Sequence, residues 1–252
     1  MHSANIAPYL NPWPRNVFPI QGMRLLPSLC HICRRWPSLP YDAPLCEPCI
    51  TTFAQPVPRC PTCALHLQSL PCAHCQQHPS PLHQCLAAVS YDFPWSQCIA
   101  QFKFQADPGL ARALAQLMHH TPWTEPALDA AHSVIPIPLS PARLRERGFN
   151  QALELARHLS PHKTLATALQ RQDLGPHQVG ASRQERWAQA THAFWVNPAH
   201  MATLRGQHVV LIDDVMTTGA TLYAAARALQ SVGVARITGL VLARAEASQR
   251  LD

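Results

Sequence analysis

The chain has 252 residues, of which 47% are hydrophobic, and this composition excludes an intrinsically disordered protein. Its 20 basic and 14 acidic residues give a formal net charge of +6, which taken alone favours an anionic partner such as nucleic acid. Residues 1–81 hold eight of the ten cysteines and 15 of the 25 prolines. The sequence therefore predicts two different kinds of polypeptide, a cysteine-rich module followed by a larger domain.

Residues 1–24 are predicted to form an irregular tail, because they contain four prolines and lack the apolar stretch of a secretory signal. Met23 is an alternative start of translation to Met1. Without a secretory signal we expect a cytoplasmic, reducing location, where structural disulfides are disfavoured. The chain has no run of about 20 apolar residues, so no transmembrane helix is predicted.

Eight cysteines form four pairs in which two residues separate the members. These pairs are Cys30 and Cys33, Cys46 and Cys49, Cys60 and Cys63, and Cys72 and Cys75. Two such pairs complete the tetrahedral four-sulfur shell that structural zinc prefers. Residues 25–80 are therefore predicted to form a double zinc ribbon with two zinc ions. Sequential pairing and an interleaved cross-brace use the same residues, and both arrangements stay open.

The expected zinc sites have consequences for chemistry and for charge. Four protein ligands leave no open position for water, so these sites are structural rather than catalytic. The nearby His31, His66, His74 and His78 are expected to be bystanders, because the sulfur count is already complete. Each four-thiolate site carries a formal charge of about −2, which lowers the net charge to about +2 and weakens the argument for nucleic acid.

Residues 84–252 are predicted to form an α/β domain. Short buried strands are expected at 87–91, 133–139, 208–215 and 236–242. Helical periodicity marks 95–104, 110–118, 150–159 and 220–232, with Asn150 as an N-cap and Gly233 as a stop. This alternation indicates a parallel sheet, which binds ligands at the carboxyl ends of its strands. Cys85 and Cys98 stand apart from the pairs and are expected to be buried as small apolar residues.

The segment VVLIDDVMTTGAT at 209–221 carries the sharpest functional signal. An apolar strand delivers Asp213 and Asp214 to the rim of the sheet, where adjacent carboxylates suit a ribose diol, or magnesium through water. The next residues wrap into a helix start and leave backbone N–H groups to cradle a phosphate. These residues are Thr217, Thr218, Gly219, Ala220 and Thr221.

These 13 residues resemble the 5-phosphoribosyl-1-pyrophosphate (PRPP) motif of type I phosphoribosyltransferases. Three further segments and the double zinc ribbon resemble the ComF family of competence-associated proteins, including its GntX-like members. The segments are YDFPWSQCIAQFKF (91–104), PIPLSPARLRERGFNQA (136–152) and ASRQER (181–186). The resemblance covers about residues 25–245. It implies a parallel-sheet type I phosphoribosyltransferase fold with a small N-terminal zinc-ribbon module.

The resemblance also implies roles for individual residues. Residues 217–221 would hold the 5′-phosphate of PRPP, and Asp213 and Asp214 would bind the ribose 2′ and 3′ hydroxyls. The loop after the 133–139 strand would face pyrophosphate through Arg143, Arg145 and Arg147, and their alternate spacing favours an extended or turn segment. The implied catalytic set is Asp213, Asp214 and Arg147.

A mobile hood is implied further along the chain. Arg183 and Arg186 would lie on it and close over the site, and 175–180 would supply its hinge. Single-stranded DNA would stack on Trp187 or Trp195, although core packing is the more common role of tryptophan. Thr217 stands where some purine-salvage relatives have Asp, and threonine is a poor general base, which disfavours a purine acceptor.

Three functions follow as expectations. The resemblance favours a protein that binds Mg²⁺ with PRPP and takes part in DNA uptake or utilisation. One alternative is an active phosphoribosyltransferase that acts on an unidentified nitrogenous acceptor. The other is a non-enzymatic adaptor whose zinc ribbons bind DNA or a competence or DNA-transport protein.

Overall fold

The computed structural model describes residues 29–36, 44–67, 71–104, 109–172 and 193–246. The predicted tail at 1–24 and the hood segment lie outside these residues. No helix in the described ranges has both the length and the apolar character needed to span a membrane.

The cysteine-rich region contains two short helices, α1 (Glu47–Phe53) and α2 (Ala73–Gln77). Each begins directly after a cysteine, Cys46 or Cys72, and neither has a side-chain cap. Leu45 and Ile50 are the large apolar side chains buried beside the first cysteines. With so little apolar surface to bury, the region depends on its cysteines for a folded structure.

The larger domain contains most of the regular structure. Its elements are β1 (Gln84–Ser90), α3 (Trp95–Phe104), α4 (Gly109–His119), α5 (Thr124–Ala130), β2 (Ser133–Pro136), α6 (Pro141–Arg147), α7 (Gln151–Leu159), β3 (Leu169–Arg171), β4 (Phe194–Val196), α8 (Pro198–Leu204), β5 (His208–Met216), α9 (Ala220–Ser231) and β6 (Arg236–Arg244).

Four strands form a parallel sheet in the order β1-β6-β5-β2. In register, Asp213 of β5 lies beside Val241 of β6, and Leu211 of β5 lies beside Ile135 of β2. Because all four strands run the same way, their carboxyl ends meet at one edge, as the sequence predicted. Strands β3 and β4 form a separate antiparallel pair.

Helices cover both faces of the sheet. One buried cluster joins α3, α4 and α7 through side chains such as Phe102, Leu114 and Leu155. The other joins α9 to the opposite face through Leu222 and Leu229. Burial on both sides explains why β5 and β6 are continuous apolar runs rather than alternating patterns.

Sequence prediction was accurate for the long elements. Asn150 caps α7 by accepting hydrogen bonds from the Ala152 and Leu153 amides, as predicted. Cys85 and Cys98 are buried, as expected. The strand predicted at 133–139 ends at Pro136, although the Ile137 amide still donates to the Ile212 carbonyl at 2.9 Å.

The shorter elements were missed. These are α1, α2, α5, α6, α8 and the β3–β4 pair, none of which exceeds seven residues. Segments this short contain too few turns or residues for an apolar period to appear.

The cysteine-rich region packs against the larger domain through specific polar contacts. Trp95 at the start of α3 is buried, and its indole Nε1 donates to the Phe53 carbonyl at 2.8 Å. The Nδ1 atom of His31 lies 2.9 Å from Oε1 of Gln101, also on α3. Arg59 donates from Nη2 to the Ser90 hydroxyl at 2.9 Å, at the end of β1. These contacts fix the region against α3 and the edge of the sheet.

Candidate functional site

The eight paired cysteines form two separate groups of four. One contains Cys30, Cys33, Cys46 and Cys49, and the other contains Cys60, Cys63, Cys72 and Cys75. Within each group the sulfur atoms all lie within 4.8 Å of one another. The pairing is therefore sequential, and the interleaved cross-brace is wrong. No histidine belongs to either group in the described part of the chain, so the predicted bystander role of the nearby histidines agrees with the structure.

The geometry of both groups fits zinc. The Cys33 and Cys46 sulfurs are 3.7 Å apart, and the Cys60 and Cys75 sulfurs are also 3.7 Å apart. Four sulfurs placed tetrahedrally about 2.3 Å from one ion would be separated by about 3.8 Å. The hydrogen bond from Cys63 lowers the pKa of the Cys60 thiol, which favours the thiolate that zinc binds. We refer to the Cys30 group as the first zinc site and the Cys60 group as the second zinc site.

The predicted phosphate loop connects the central strand β5 to α9. Gly219 has a φ of +86° and precedes the helix, and the Thr218 hydroxyl accepts from the Ala220 amide at 3.3 Å. A Cβ at this position would lie 2.7 Å from Cε of Met216 and 3.0 Å from Cζ of Tyr223, so only glycine fits. The loop thus combines a helix N-terminus with the exposed Thr217, an arrangement that suits a phosphate.

The two predicted carboxylates lie together at the end of β5. The Asp214 amide donates to Oδ1 of Asp213 at 2.9 Å. Asp214 forms an ion pair with Lys103, in which Oδ2 lies 3.1 Å from Nζ. Both side chains are largely buried. Sequence reasoning missed Lys103, although it is one of only two lysines in the chain and lies within the quoted 91–104 segment.

The charge state of Asp213 is perturbed by its surroundings. Burial, followed by the negative charge of Asp214, raises the pKa of Asp213 from 3.8 to about 7. The positive charges of Lys103 and Arg171 oppose this rise. Arg171, on β3, was also missed by sequence reasoning, and its guanidinium carbon lies 5.2 Å from the ring centroid of Phe194. Perturbed acids of this kind are typical of functional sites.

The three predicted pyrophosphate-facing arginines lie on a helix, so the prediction of an extended or turn segment was wrong. Ser140 caps α6 by accepting from the Arg143 amide at 3.4 Å, and Pro141 begins the helix. Proline at the first position is preorganised for a helix, and this signal was overlooked. Residues two apart point to different sides of a helix, so the arginines do not form one row.

The structure brings Arg147 to the end of α3 and leaves Arg143 and Arg145 exposed. Arg147 donates from Nη1 to Oε1 of Gln151 at 3.1 Å, and its guanidinium carbon lies 5.5 Å from the ring centroid of Phe104. Its buried Nε has no hydrogen-bond partner among the described residues. Phe104 follows Lys103 directly, so Arg147 lies at the same end of α3 as the ion pair with Asp214.

Arg183, Arg186, Trp187 and the proposed hinge at 175–180 lie outside the described residues. Trp195 on β4 is described and is 45% exposed, so its expected burial in the core was wrong. An exposed aromatic ring at this position remains available for stacking.

Comparison with known proteins identifies the domain and its relatives. A profile of the phosphoribosyl transferase domain matches residues 145–252. DNA utilization protein YhgH of Escherichia coli strain K12 is 30% identical over 239 residues, spanning 88% of this chain and 99% of the relative. Competence protein F of Haemophilus influenzae is 30% identical over 212 residues, spanning 79% of this chain and 89% of the relative.

Two further proteins show a more distant likeness. Competence protein ComFC of Bacillus subtilis is 29% identical over 157 residues, or 61% of each chain. A solved structure of an allosteric regulatory enzyme of purine biosynthesis covers 52% of this chain and 25% of its own, at 15% identity and a TM-score of 0.34. That likeness is too low to support a statement about function.

We expect the purified protein to contain two zinc ions per chain, measured by metal analysis. Cys63→Ser should lower the content to one ion and reduce the thermal midpoint strongly, because structural zinc contributes folding free energy directly. Cys98→Ser is the matched control, since that buried cysteine belongs to neither site, and it should retain two ions. A wild-type content of one ion or fewer would contradict the assignment.

Asp213→Asn should stabilise the folded protein at pH 8 and have little effect at pH 4. Because folding raises the pKa of Asp213 to about 7, its ionisation opposes folding increasingly as the pH rises from about 4 to 7. Removing the charge should therefore add about 1–3 kcal/mol to the free energy of unfolding at pH 8. Thermal melts at both pH values test this, with the exposed Asp129→Asn as the control. An equal effect at both pH values would contradict the expectation.

Proposed function

The chain belongs to the ComF family of competence and DNA-utilisation proteins and carries a phosphoribosyl transferase domain, and we propose that it binds magnesium and PRPP at the end of β5. One observation carries the proposal. The acidic pair Asp213 and Asp214 and the glycine-dependent loop 217–221 lie side by side at the carboxyl edge of a parallel sheet. This combination provides acceptors for a ribose diol next to donors for a phosphate.

The loop is the proposed site of the 5′-phosphate. The amides at the start of α9 and the Thr217, Thr218 and Thr221 hydroxyls would donate to its oxygens. The carboxylates of Asp213 and Asp214 would accept hydrogen bonds from the ribose 2′ and 3′ hydroxyls. Because Asp213 has a pKa of about 7, it accepts most strongly above neutral pH.

The pyrophosphate is proposed to lie toward α3 and α6. Lys103 supplies a cation beside Asp214, and Arg147 supplies a guanidinium at the same end of α3. Arg143 and Arg145 are exposed on α6, and the hood residues Arg183 and Arg186 are proposed to close over the same group. Magnesium would accompany the pyrophosphate and offset part of its negative charge.

A role in DNA uptake or utilisation is proposed from the competence relatives. Single-stranded DNA would stack on the exposed Trp195 and contact exposed arginines such as Arg143 and Arg145 through its phosphates. The formal charge remaining after zinc binding is small. DNA binding would therefore depend on local arginine clusters rather than on a basic surface overall.

An active phosphoribosyltransferase is the second candidate, and the Lys103–Asp214 ion pair favours it. Transfer would form a bond between an acceptor nitrogen and the anomeric carbon while the bond to pyrophosphate breaks. Negative charge then develops on the departing pyrophosphate, where Lys103 and Arg147 would stabilise it. Thr217 offers no general base, so the acceptor would have to be nucleophilic without deprotonation by the loop.

A non-enzymatic adaptor is the third candidate, and exposed aromatic residues on and beside the cysteine-rich region favour it. Trp36 is 62% exposed beside the first zinc site, and Phe93 is 65% exposed near α1. Exposed aromatic side chains are frequent anchors at protein interfaces. The partner would be DNA or a protein of DNA transport.

Titration calorimetry of magnesium and PRPP into the zinc-replete protein tests the main proposal. We expect saturable binding to the wild type and a loss of affinity of about 30-fold or more in Asp214→Asn, which removes a charged acceptor. Asp129→Asn, an exposed carboxylate distant in sequence from the site, should bind as the wild type does. Absence of binding by folded wild-type protein would overturn the proposal.

The same Asp214→Asn variant separates the two other candidates. Pyrophosphate release that requires an added acceptor and disappears in the variant would indicate transferase activity. Partner binding that survives in the variant but fails in Cys30→Ser would indicate an adaptor. The two readouts respond to different variants, so each candidate can fail independently.

A further inference from the structure

A buried arginine connects the second zinc site to the phosphate loop. Arg244 ends β6, is 0% exposed, and lies beside Met216 in the strand register. Its Nη1 donates to the Met216 carbonyl at 2.9 Å and also to the Thr217 carbonyl. Its Nε donates to the Cys63 carbonyl at 2.9 Å. One side chain thus contacts both a zinc-binding residue and the backbone at the start of the loop.

These contacts determine which way the loop amides face. In a trans peptide, the carbonyl of one residue and the N–H of the next point to opposite sides. Because the Met216 and Thr217 carbonyls turn toward Arg244, the N–H groups of Thr217 and Thr218 must turn away from it. The same contacts keep two carbonyl dipoles, which would repel an anion, away from the ligand side of the loop.

The buried guanidinium of Arg244 forms no ion pair within the part of the chain that the structure describes. Glu246 forms an ion pair with Arg59 at 3.5 Å. The hydrogen bonds of the Arg244 guanidinium all go to carbonyl oxygens, and its Nη2 has no partner in the described part of the chain. Buried charges without a counterion are strongly unfavourable. With zinc bound to four thiolates, the neighbouring site would carry a formal charge near −2 and would supply this negative charge.

We propose that Arg244 is a positioning residue that couples zinc at the second site to phosphate binding at the loop. Zinc fixes the Cys63 backbone and balances the guanidinium charge, and Arg244 in turn orients the Met216–Thr218 peptides. The coupling to ligand rests on the proposed binding of PRPP, whereas the coupling to loop order does not. Among the described residues, Arg244 makes no hydrogen bond to the first zinc site, whose His31 lies against Gln101 on α3.

Calorimetry with Arg244 variants tests the effect on ligand. Arg244→Met keeps much of the side-chain volume but removes the charge and the donors, and it should weaken binding of magnesium and PRPP at least about 10-fold. Arg244→Lys retains the charge with a different donor geometry, so its affinity should lie between those of the wild type and Arg244→Met. Arg236→Met, at the exposed opposite end of the same strand, is the matched control. Wild-type affinity in a folded Arg244→Met protein would overturn the proposal.

Hydrogen exchange provides a test that needs neither ligand nor a folded Arg244 variant. Cys72→Ser disrupts the second zinc site at a half-buried ligand, and Cys33→Ser disrupts the first at an exposed ligand. We expect exchange of the 217–221 amides to become at least about 10-fold faster in Cys72→Ser and to change much less in Cys33→Ser. Zinc content is measured on both samples. Equal loop protection in the two variants would overturn the coupling.

The two measurements distinguish failure of this inference from failure of the proposed function. If the wild type binds no PRPP but the loop loses protection only in Cys72→Ser, the function fails and the coupling stands. If the wild type binds PRPP and both Arg244→Met and Cys72→Ser leave affinity and protection unchanged, the function stands and the coupling fails.

Discussion

The constraint on which the site depends is the like-charged pair Asp213 and Asp214 at the end of the central strand. Burial and, after it, repulsion by the neighbouring Asp214 carboxylate both disfavour the charged form of Asp213, and they raise its pKa. Lys103 compensates by pairing with Asp214. That lysine is positioned by α3, whose first residue, Trp95, donates to the Phe53 carbonyl. The acidic pair therefore depends on how the cysteine-rich region packs against α3.

The paired carboxylates of Asp213 and Asp214 disfavour their own ionisation in the free protein. A bound ligand that donates hydrogen bonds to them would stabilise the ionised form. Ribose hydroxyls would donate to the carboxylates, and a phosphate would interact with the N-terminus of α9. The free protein thus keeps two unfavourable neighbouring carboxylates at one edge of a sheet whose interior is otherwise apolar. This explains why removing the Asp213 charge should stabilise the fold while removing the neighbouring Asp214 charge should weaken binding.

Short sequence segments were sufficient to predict those features that are defined within a few residues of one another. The four cysteine pairs, the 209–221 motif and the Asn150 cap are each defined within a few residues, and the structure has each where the pattern predicts. Lys103 and Arg244 were missed because their partners lie more than 20 residues away and become neighbours only through the sheet register and helix packing. The helix at 141–147 was missed because charge spacing was considered and the Ser140–Pro141 start was not.

The last described residues of the chain return to its cysteine-rich beginning. Arg244 donates to the Cys63 carbonyl, and Glu246 accepts from the His66 amide and pairs with Arg59. The second zinc site is thereby attached to the same strand end that supports the phosphate loop. Any partner that the zinc ribbons bind must meet them in this docked position, unless it breaks these contacts. A partner that did break them would release Arg244 and alter the loop. Partner binding and phosphate binding would then be thermodynamically coupled.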